Sequence, residues 1–327
     1  MMKKFLGIDI GGTKTAVIYA CEKDENAIDI VDKLQFKTTK VEETIKNIFT
    51  NLDAVIERNG LKTDEITAIG ISCGGPLDSK RGVVMSPPNL PDWNNIPIVD
   101  MVGGRYSLPC AIQNDANACA VAEWKFGAGV GTRNMIFLTF GTGLGAGLIL
   151  NGELYSGTND NAGEVGHIRL SKFGPVGYGK QGSFEGFVSG GGIAQMARAV
   201  LTEQYQQGKN VPWCPFDQID LITAQTVAEQ ACKNDDLARK IIITSATYLG
   251  KGLSILIDIL NPECIVIGSI YARNMELFYP VVEKVLIEET LNNSLEVCQI
   301  KPAKLGENIG DYAAVSIASN LANKIIR

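Results

Sequence analysis

The stretch Phe5-Leu6-Gly7-Ile8-Asp9-Ile10-Gly11-Gly12-Thr13-Lys14-Thr15-Ala16-Val17 decides how this chain folds. Phe5 to Asp9 and Thr15 to Cys21 read as two strands joined by a tight Gly11-Gly12 turn. Glycines at such a turn let backbone amides approach a phosphate, and Thr13 adds a hydroxyl donor. Asp9, at the strand end, is placed to hold magnesium directly or through water. The same two glycines also make an ordinary hairpin. The turn is not a P-loop, because the G-x-x-x-x-G-K-[ST] spacing is missing.

Working outward, Ile28 to Phe36 alternates as a third strand. Val41, Ile45, Ile48, Phe49, Leu52, Val55 and Ile56 recur at helical spacing and stop before Asn59-Gly60, a C-terminal signal. Thr67 to Cys73 is a short buried strand that runs into Gly74-Gly75-Pro76, and residues 80–107 read as an ordered loop rich in proline and glycine. Leu108 to Gln113 is another strand, with Asn114-Asp115 capping a helix through Trp124. Met135 to Phe140 and Ala146 to Leu150 form a strand pair around a second glycine cluster. The chain is then mainly helical after Gly190, apart from an excursion at Val211 to Phe216. Ile265 to Gly268 is a last buried strand, and an alanine-rich helix closes the chain over Asp311 to Ile326. The opening order β-β-β-α-β-α recurs loosely from Met135. The expected architecture is therefore α/β, with two lobes of similar topology that each turn a glycine-rich loop toward a ligand cleft.

The bulk composition narrows the function. The chain has 327 residues, of which 45% are hydrophobic and 20% charged, enough for a sizeable core and two lobes. A net charge of −6 argues against a nucleic-acid surface, which needs a basic stripe, but leaves phosphate ligands open. The eight cysteines are scattered, with no C-x-x-C pair and a single histidine, which points to a reducing compartment. The chain enters its first strand at once, without room for a signal peptide, and no apolar run reaches the ~18 residues of a membrane span. A cytoplasmic protein with no membrane or nucleic-acid partner is the expectation.

Three further motifs carry chemistry. Thr139-Phe140-Gly141-Thr142-Gly143-Leu144-Gly145-Ala146-Gly147 is a donor-rich edge suited to β- and γ-phosphates. It is no Rossmann turn, because it leads into a strand and not a helix; a strained hairpin is its plainer reading. Asn114-Asp115 reads either as a simple cap or as the base that accepts an alcohol proton during phosphoryl transfer. Glu164, His167 (the chain's one histidine) and Glu185 lie in glycine-rich sequence and supply acceptors and donors for sugar hydroxyls; a satisfied core histidine is the alternative.

Taken in order, these pieces resemble the ROK family of sugar kinases and repressors, which have the two-lobed actin-like ATPase (ribonuclease H-like) fold. The resemblance covers nearly the whole chain, including Gly163-Glu164-Val165-Gly166-His167 and Pro262 to Gly268. It implies an ATP- and magnesium-dependent hexose kinase, closest in pattern to glucokinases and acting on the 6-hydroxyl. Asp115 would be the base, and Asn114, Glu164, His167 and Glu185, with Asn89 and Gly75, would hold the sugar. Asp9, Gly11, Gly12, Thr13, Lys14, Thr142 and Gly143 would surround the phosphates, with Gly268 on the adenosine side. The family also implies a homodimer. An N-acetylmannosamine or other N-acetylhexosamine kinase is one alternative; a sugar-sensing transcriptional regulator is another, of a different class. Residues 1–116 with the helix at about 306–327 are expected to form one lobe, and 117–305 the larger one. The family's zinc cysteines are replaced by Val176, Tyr178 and Ser183, so no structural zinc is expected, and the loop should be held by packing through Tyr178 and Phe184.

Overall fold

A computed structural model describes residues 2–24 and 27–325. By packing, the chain forms one unit from Met1–Arg133, Gly147–Ala162 and Lys304–Arg327, and a second from Asn134–Ala146 and Gly163–Ala303.

The first unit opens with β1 (Lys4–Ile10), β2 (Lys14–Asp24), β3 (Ala27–Lys37) and helix α1 (Val41–Arg58). It continues with β4 (Ile66–Cys73), the short pair β5 (Leu77–Asp78) and β6 (Val83–Val84), α2 (Ile98–Tyr106), β7 (Cys110–Asn114) and α3 (Asp115–Phe126). Its sheet has the order β3-β2-β1-β4-β7, with β1–β2 and β2–β3 antiparallel and β1–β4 and β4–β7 parallel. The central strands are buried on both faces, as near-continuous apolar runs require. Leu6 and Ile8 pack with Ile48, Leu52 and Val55 of α1, whereas Phe5 and Ala68 pack with Ala314, Val315 and Ala318 near the C-terminus.

The second unit and its flanks follow with β8 (Met135–Phe140), β9 (Leu144–Leu150), β10 (Glu153–Tyr155), the hairpin β11 (Val176–Gly177) and β12 (Lys180–Gln181), α4 (Phe184–Phe187) and α5 (Gly190–Gln206). Next come α6 (Ala224–Cys232), α7 (Asp236–Leu260), β13 (Cys264–Ile267), α8 (Ser269–Arg273), α9 (Met275–Glu289), α10 (Asn292–Leu295) and β14 (Gln299–Pro302). The second sheet has the order β10-β9-β8-β13-β14. Both sheets thus run third-second-first-fourth-fifth in chain order, the duplication expected from the recurring element pattern.

Helix α11 (Ile309–Ile325) returns to the first unit; the expected helix end at Ile326 lies outside the described residues. Its alanine content has a steric cause. A Cβ on Gly70 would lie 2.1 Å from the Ala314 carbonyl oxygen and 2.5 Å from the Ala318 nitrogen, so helix and strand approach to backbone contact. The expected lobe boundary after residue 116 falls inside α3, a helix that packs against α11 within the first unit.

One expectation changes. Residues 98–106, expected in a loop, form α2: Ile98 and Val102 are fully buried, and that burial outweighs the poor helix propensity of Gly103-Gly104. Helix α7 lies in the region expected to be mainly helical. This helix of 25 residues has a window of mean hydropathy 1.3, long and apolar enough to cross a membrane, yet 61% of that window is buried, chiefly against α9 and α6.

Candidate active site

In the first unit the glycine turn closes with the Gly11 amide donating to the Lys14 carbonyl (3.0 Å), next to the last β1–β2 pair, Ile10 with Thr15. Thr38, at the end of β3, tethers it: its hydroxyl donates to the Gly11 carbonyl (2.7 Å) and its amide to the Thr13 carbonyl (3.0 Å). The side chains of Thr13 and Lys14 are exposed. Asn89 lies against this turn, for a Cβ on Gly12 would stand 2.7 Å from the Asn89 carbonyl oxygen. Gly75 lies beside Asn114, whose Cβ is 4.0 Å from the position of a Gly75 Cβ.

Asn114 and Asp115 do different work at the start of α3. The Asn114 side chain is the cap, accepting from the Asn117 amide at 2.8 Å. Asp115 Oδ1 accepts from the Ala116 amide (2.8 Å), while the cap itself is supplied by Asn114, so the carboxylate is not consumed by capping. It is open to solvent at its own surface, yet the protein crowded around it desolvates it and pushes its carboxyl above the ordinary range, against the pull of backbone amides. Asp9 shares this environment: burial first, then the charges of Asp311 and Asp115, raise its carboxyl to about 6, while Lys33 and a hydrogen bond from Ser72 oppose the rise. The combined field reaches Cys73, whose thiol is pushed up to about 12 by burial, Asp115 and Asp9.

A desolvated carboxylate beside other carboxylates is a hard-oxygen environment in which a divalent cation relieves repulsion, so Asp9 fits magnesium. Among the described residues no group of three His, Cys, Asp or Glu could enclose a metal, so Asp9 would act as a single anchor.

In the second unit, Glu164 precedes and His167 ends a 3₁₀ turn over Val165–His167, and both are exposed. The segment lies tight on β9: a Cβ on Gly166 would sit 2.3 Å from the Leu144 carbonyl oxygen and 3.2 Å from the Glu185 Cβ. This places Glu164, His167 and Glu185 along one short stretch. The Glu185 carboxylate accepts from the Leu144 amide (3.0 Å) and would touch a Gly143 Cβ at 2.9 Å, which joins the acidic set to the second glycine turn. That turn is held by the start of α5, whose Gly190 and Gly191 amides donate to the carbonyls of Gly141 (2.7 Å) and Thr142 (3.3 Å). The His167 ring meets the Tyr178 ring edge-on, with centroids 6.5 Å apart.

Gly268 ends β13 and caps α8. Beyond it lies a cavity of about 590 Å³, lined by Gln225, Glu229 and Cys232 of α6, Lys233 just after it, and Ile270 and Arg273 of α8, among others. Sequence reading singled out Gly268 but not this cavity, whose walls come from segments some 40 residues apart. It also missed Thr38, Ser72 and the Lys33–Asp311 ion pair (2.7 Å) beside Asp9; Thr38 and Lys33 stand in no glycine-rich or otherwise marked sequence.

The zinc of the family does not fit here. Val176 offers no donor, Tyr178 is an exposed ring and the Ser183 hydroxyl is engaged as the α4 cap, accepting from the Gly186 amide at 3.1 Å. Phe184 packs as expected, fully buried against Gly252, whereas Tyr178 is 80% exposed and contributes little packing.

Comparison with known proteins gives this arrangement a context. The ROK family pattern matches residues 5–320. A glucokinase of Halalkalibacterium halodurans is 30% identical over 311 residues, spanning 94% of this chain and 92% of that protein. A xylose repressor of Caldicellulosiruptor bescii is 29% identical over 306 residues, which are 90% of this chain and 74% of the repressor. The crystal structure of a ROK family glucokinase from Streptomyces griseus, in complex with glucose and AMPPNP, is similar with a TM-score of 0.72 at 28% identity, covering 98% of this chain and 100% of that one. The two duplicated sheets are those of the actin-like ATPase fold, and the chain belongs to the ROK family.

Proposed function

We propose that this chain transfers the γ-phosphoryl group of ATP to a hexose hydroxyl, the 6-hydroxyl of a glucose-like sugar. The observation that carries the reading is Asp115: a reachable carboxylate, left free of the capping role by Asn114 and made more basic by desolvation. As the hydroxyl oxygen bonds to the γ-phosphorus, its proton passes to Asp115 and the bond from phosphorus to the β,γ-bridging oxygen breaks, so that ADP leaves. Asn114, Asn89, Gly75, Glu164, His167 and Glu185 would orient the sugar. Gly11, Gly12, Thr13 and Lys14, with Thr142 and Gly143, would hold phosphate oxygens, and the cavity beyond Gly268 would take the nucleoside. Magnesium, when bound at Asp9, would neutralise phosphate charge.

The test is an ADP-coupled assay over a panel of hexoses and N-acetylhexosamines. Asp115→Asn is expected to lower kcat by about 10²- to 10⁴-fold while sugar still binds; full activity in that variant refutes the base. The panel also separates glucokinase from N-acetylmannosamine kinase activity. Kinship with the xylose repressor supports a second reading, in which the same residues sense a sugar without turnover. Sugar binding with no ADP release, together with a specific shift of promoter DNA, would favour it.

A further inference from the structure

The segment between His167 and Glu185 reverses through a hairpin whose strands, β11 and β12, have two residues each. Strands so short do not hold a register by themselves. Its tip, Tyr178-Gly179, has both φ angles positive (43° and 73°), the left-handed pair of a two-residue turn. Side chains from outside and within the hairpin bond to its main chain. Gln195 of α5 grips Val176 at two points: its Oε1 accepts from the Val176 amide (3.0 Å) and its Nε2 donates to the Val176 carbonyl (2.8 Å). Lys180 reaches back so that its Nζ donates to the His167 carbonyl (2.7 Å). Arg169 donates to the Gln181 carbonyl (2.9 Å), and the Ser183 hydroxyl donates to the Gly177 carbonyl (3.4 Å).

We infer that Gln195 and Lys180 are positioning residues: a clasp of side chains that fixes the hairpin, and through it His167 and Glu185, in the place where the family's cysteines would require a metal. Gln195 fixes the first strand to α5, and Lys180 fixes the second strand to the carbonyl of His167 itself. Neither needs to touch substrate. The amide of Gln195 supplies one donor and one acceptor at the spacing of a peptide unit, so a residue with only one of the two cannot replace it. The inference rests on the reading that His167 and Glu185 hold sugar hydroxyls, and it extends that reading to the residues that aim them.

Gln195→Ala and Lys180→Met test it, with sugar kinetics and hydrogen exchange measured on the full chain. Each is expected to raise the KM for sugar about tenfold, with kcat at saturating sugar and the KM for ATP within about threefold of wild type. Amide exchange over residues 165–185 should accelerate about tenfold or more, with exchange in α7 unchanged. Lys180→Arg, which keeps a donor, should restore most of the sugar KM, and Gln195→Glu, which loses the donor, should not. A zinc chelator should leave wild-type exchange over 165–185 unaltered. Wild-type sugar KM and wild-type exchange in both Gln195→Ala and Lys180→Met, or loss of protection on chelation, would overturn the clasp. If the wild-type chain phosphorylates no sugar at all, the kinase reading fails, and the exchange of the two variants alone decides whether the clasp exists.

Discussion

Gly12→Ala is the sharpest probe of the glycine turn, because nothing but steric overlap stands against it. Gly12 is not among the described residues with positive φ, so alanine can adopt its backbone conformation. The new methyl would lie 2.7 Å from the Asn89 carbonyl oxygen and 2.8 Å from the Asn89 Cβ. Ordinary carbon contacts begin near 3.5 Å, so one side must move by about 0.7 Å. The turn resists, because Thr38 bonds to Gly11 and Thr13 on either side of it. The Asn89 side resists as well, since the Leu90 amide closes a tight turn onto Pro87 (3.0 Å). A displacement approaching 1 Å between groups that hold reactants costs on the order of 100-fold. The expected outcome is a fall of about 100-fold in kcat/KM in the ADP-coupled assay, with about 1–2 kcal/mol lost in urea unfolding. Gly104→Ala, whose Cβ meets nothing within 4 Å on α2, is the control and should gain about 0.5 kcal/mol. A Gly12→Ala enzyme within threefold of wild type would refute the claim that the Asn89 loop and the turn act as one surface.

Gly70→Ala should be far more damaging to folding than Gly12→Ala, since its Cβ would meet backbone at 2.1 and 2.5 Å; a loss of about 3 kcal/mol or more by urea unfolding, or no soluble protein, is expected. Lys125→Met should stabilise the chain at neutral pH. Burial lowers the Lys125 ammonium from 10.5 to about 8, opposed by Glu22 and helped by Lys3 and Lys324, with Ser319 Oγ its hydrogen-bond partner at 3.3 Å. That displacement is worth about 3 kcal/mol at about 1.4 kcal/mol per pH unit. Here the folded chain binds fewer protons than the unfolded chain between about pH 8 and 10.5, so the cost is full below pH 8 and fades as pH rises through that window. Urea midpoints at pH 7 and pH 10 should show a large gain and a smaller one; a destabilised Lys125→Met at pH 7 contradicts the assignment. Removal of divalent ions should abolish turnover, and magnesium alone should restore it; recovery that requires zinc would contradict the site as described.

Much of the architecture was legible because it rests on short-range patterns. β1, β2, β4 and β13 carry apolar runs with a glycine turn at one end, and α1 has a clean stripe from Val41 to Val55. Where tertiary packing overrode local preference the reading failed, as at α2, whose Gly103-Gly104 conceals a helix that Ile98 and Val102 anchor. The candidate site divides the same way. Asp9, Asn114 and Asp115 stand next to turns, caps and strand ends, positions that sequence marks. Lys33 and Asp311 are 278 residues apart and meet only because β3 and α11 are packed in the same unit.

The duplication makes the limit of sequence reading concrete. Each half places a glycine turn between its first two strands, Gly11-Gly12 between β1 and β2 and Gly141 to Gly143 between β8 and β9, and each turn was visible as a run of glycine and threonine. What immobilises the turns is not repeated. The first is tied down by one hydroxyl and one amide of Thr38, at the end of the third strand. The second is tied down by the opening amides of α5, an element that follows some fifty residues later. In each turn, carbonyl oxygens accept from groups outside the hairpin, which fixes its backbone, and the chain supplies those donors in two unrelated ways. Repeated sequence therefore marks the surface that would touch the ligand, while the supports that make each surface rigid come from whatever element the topology brings behind it.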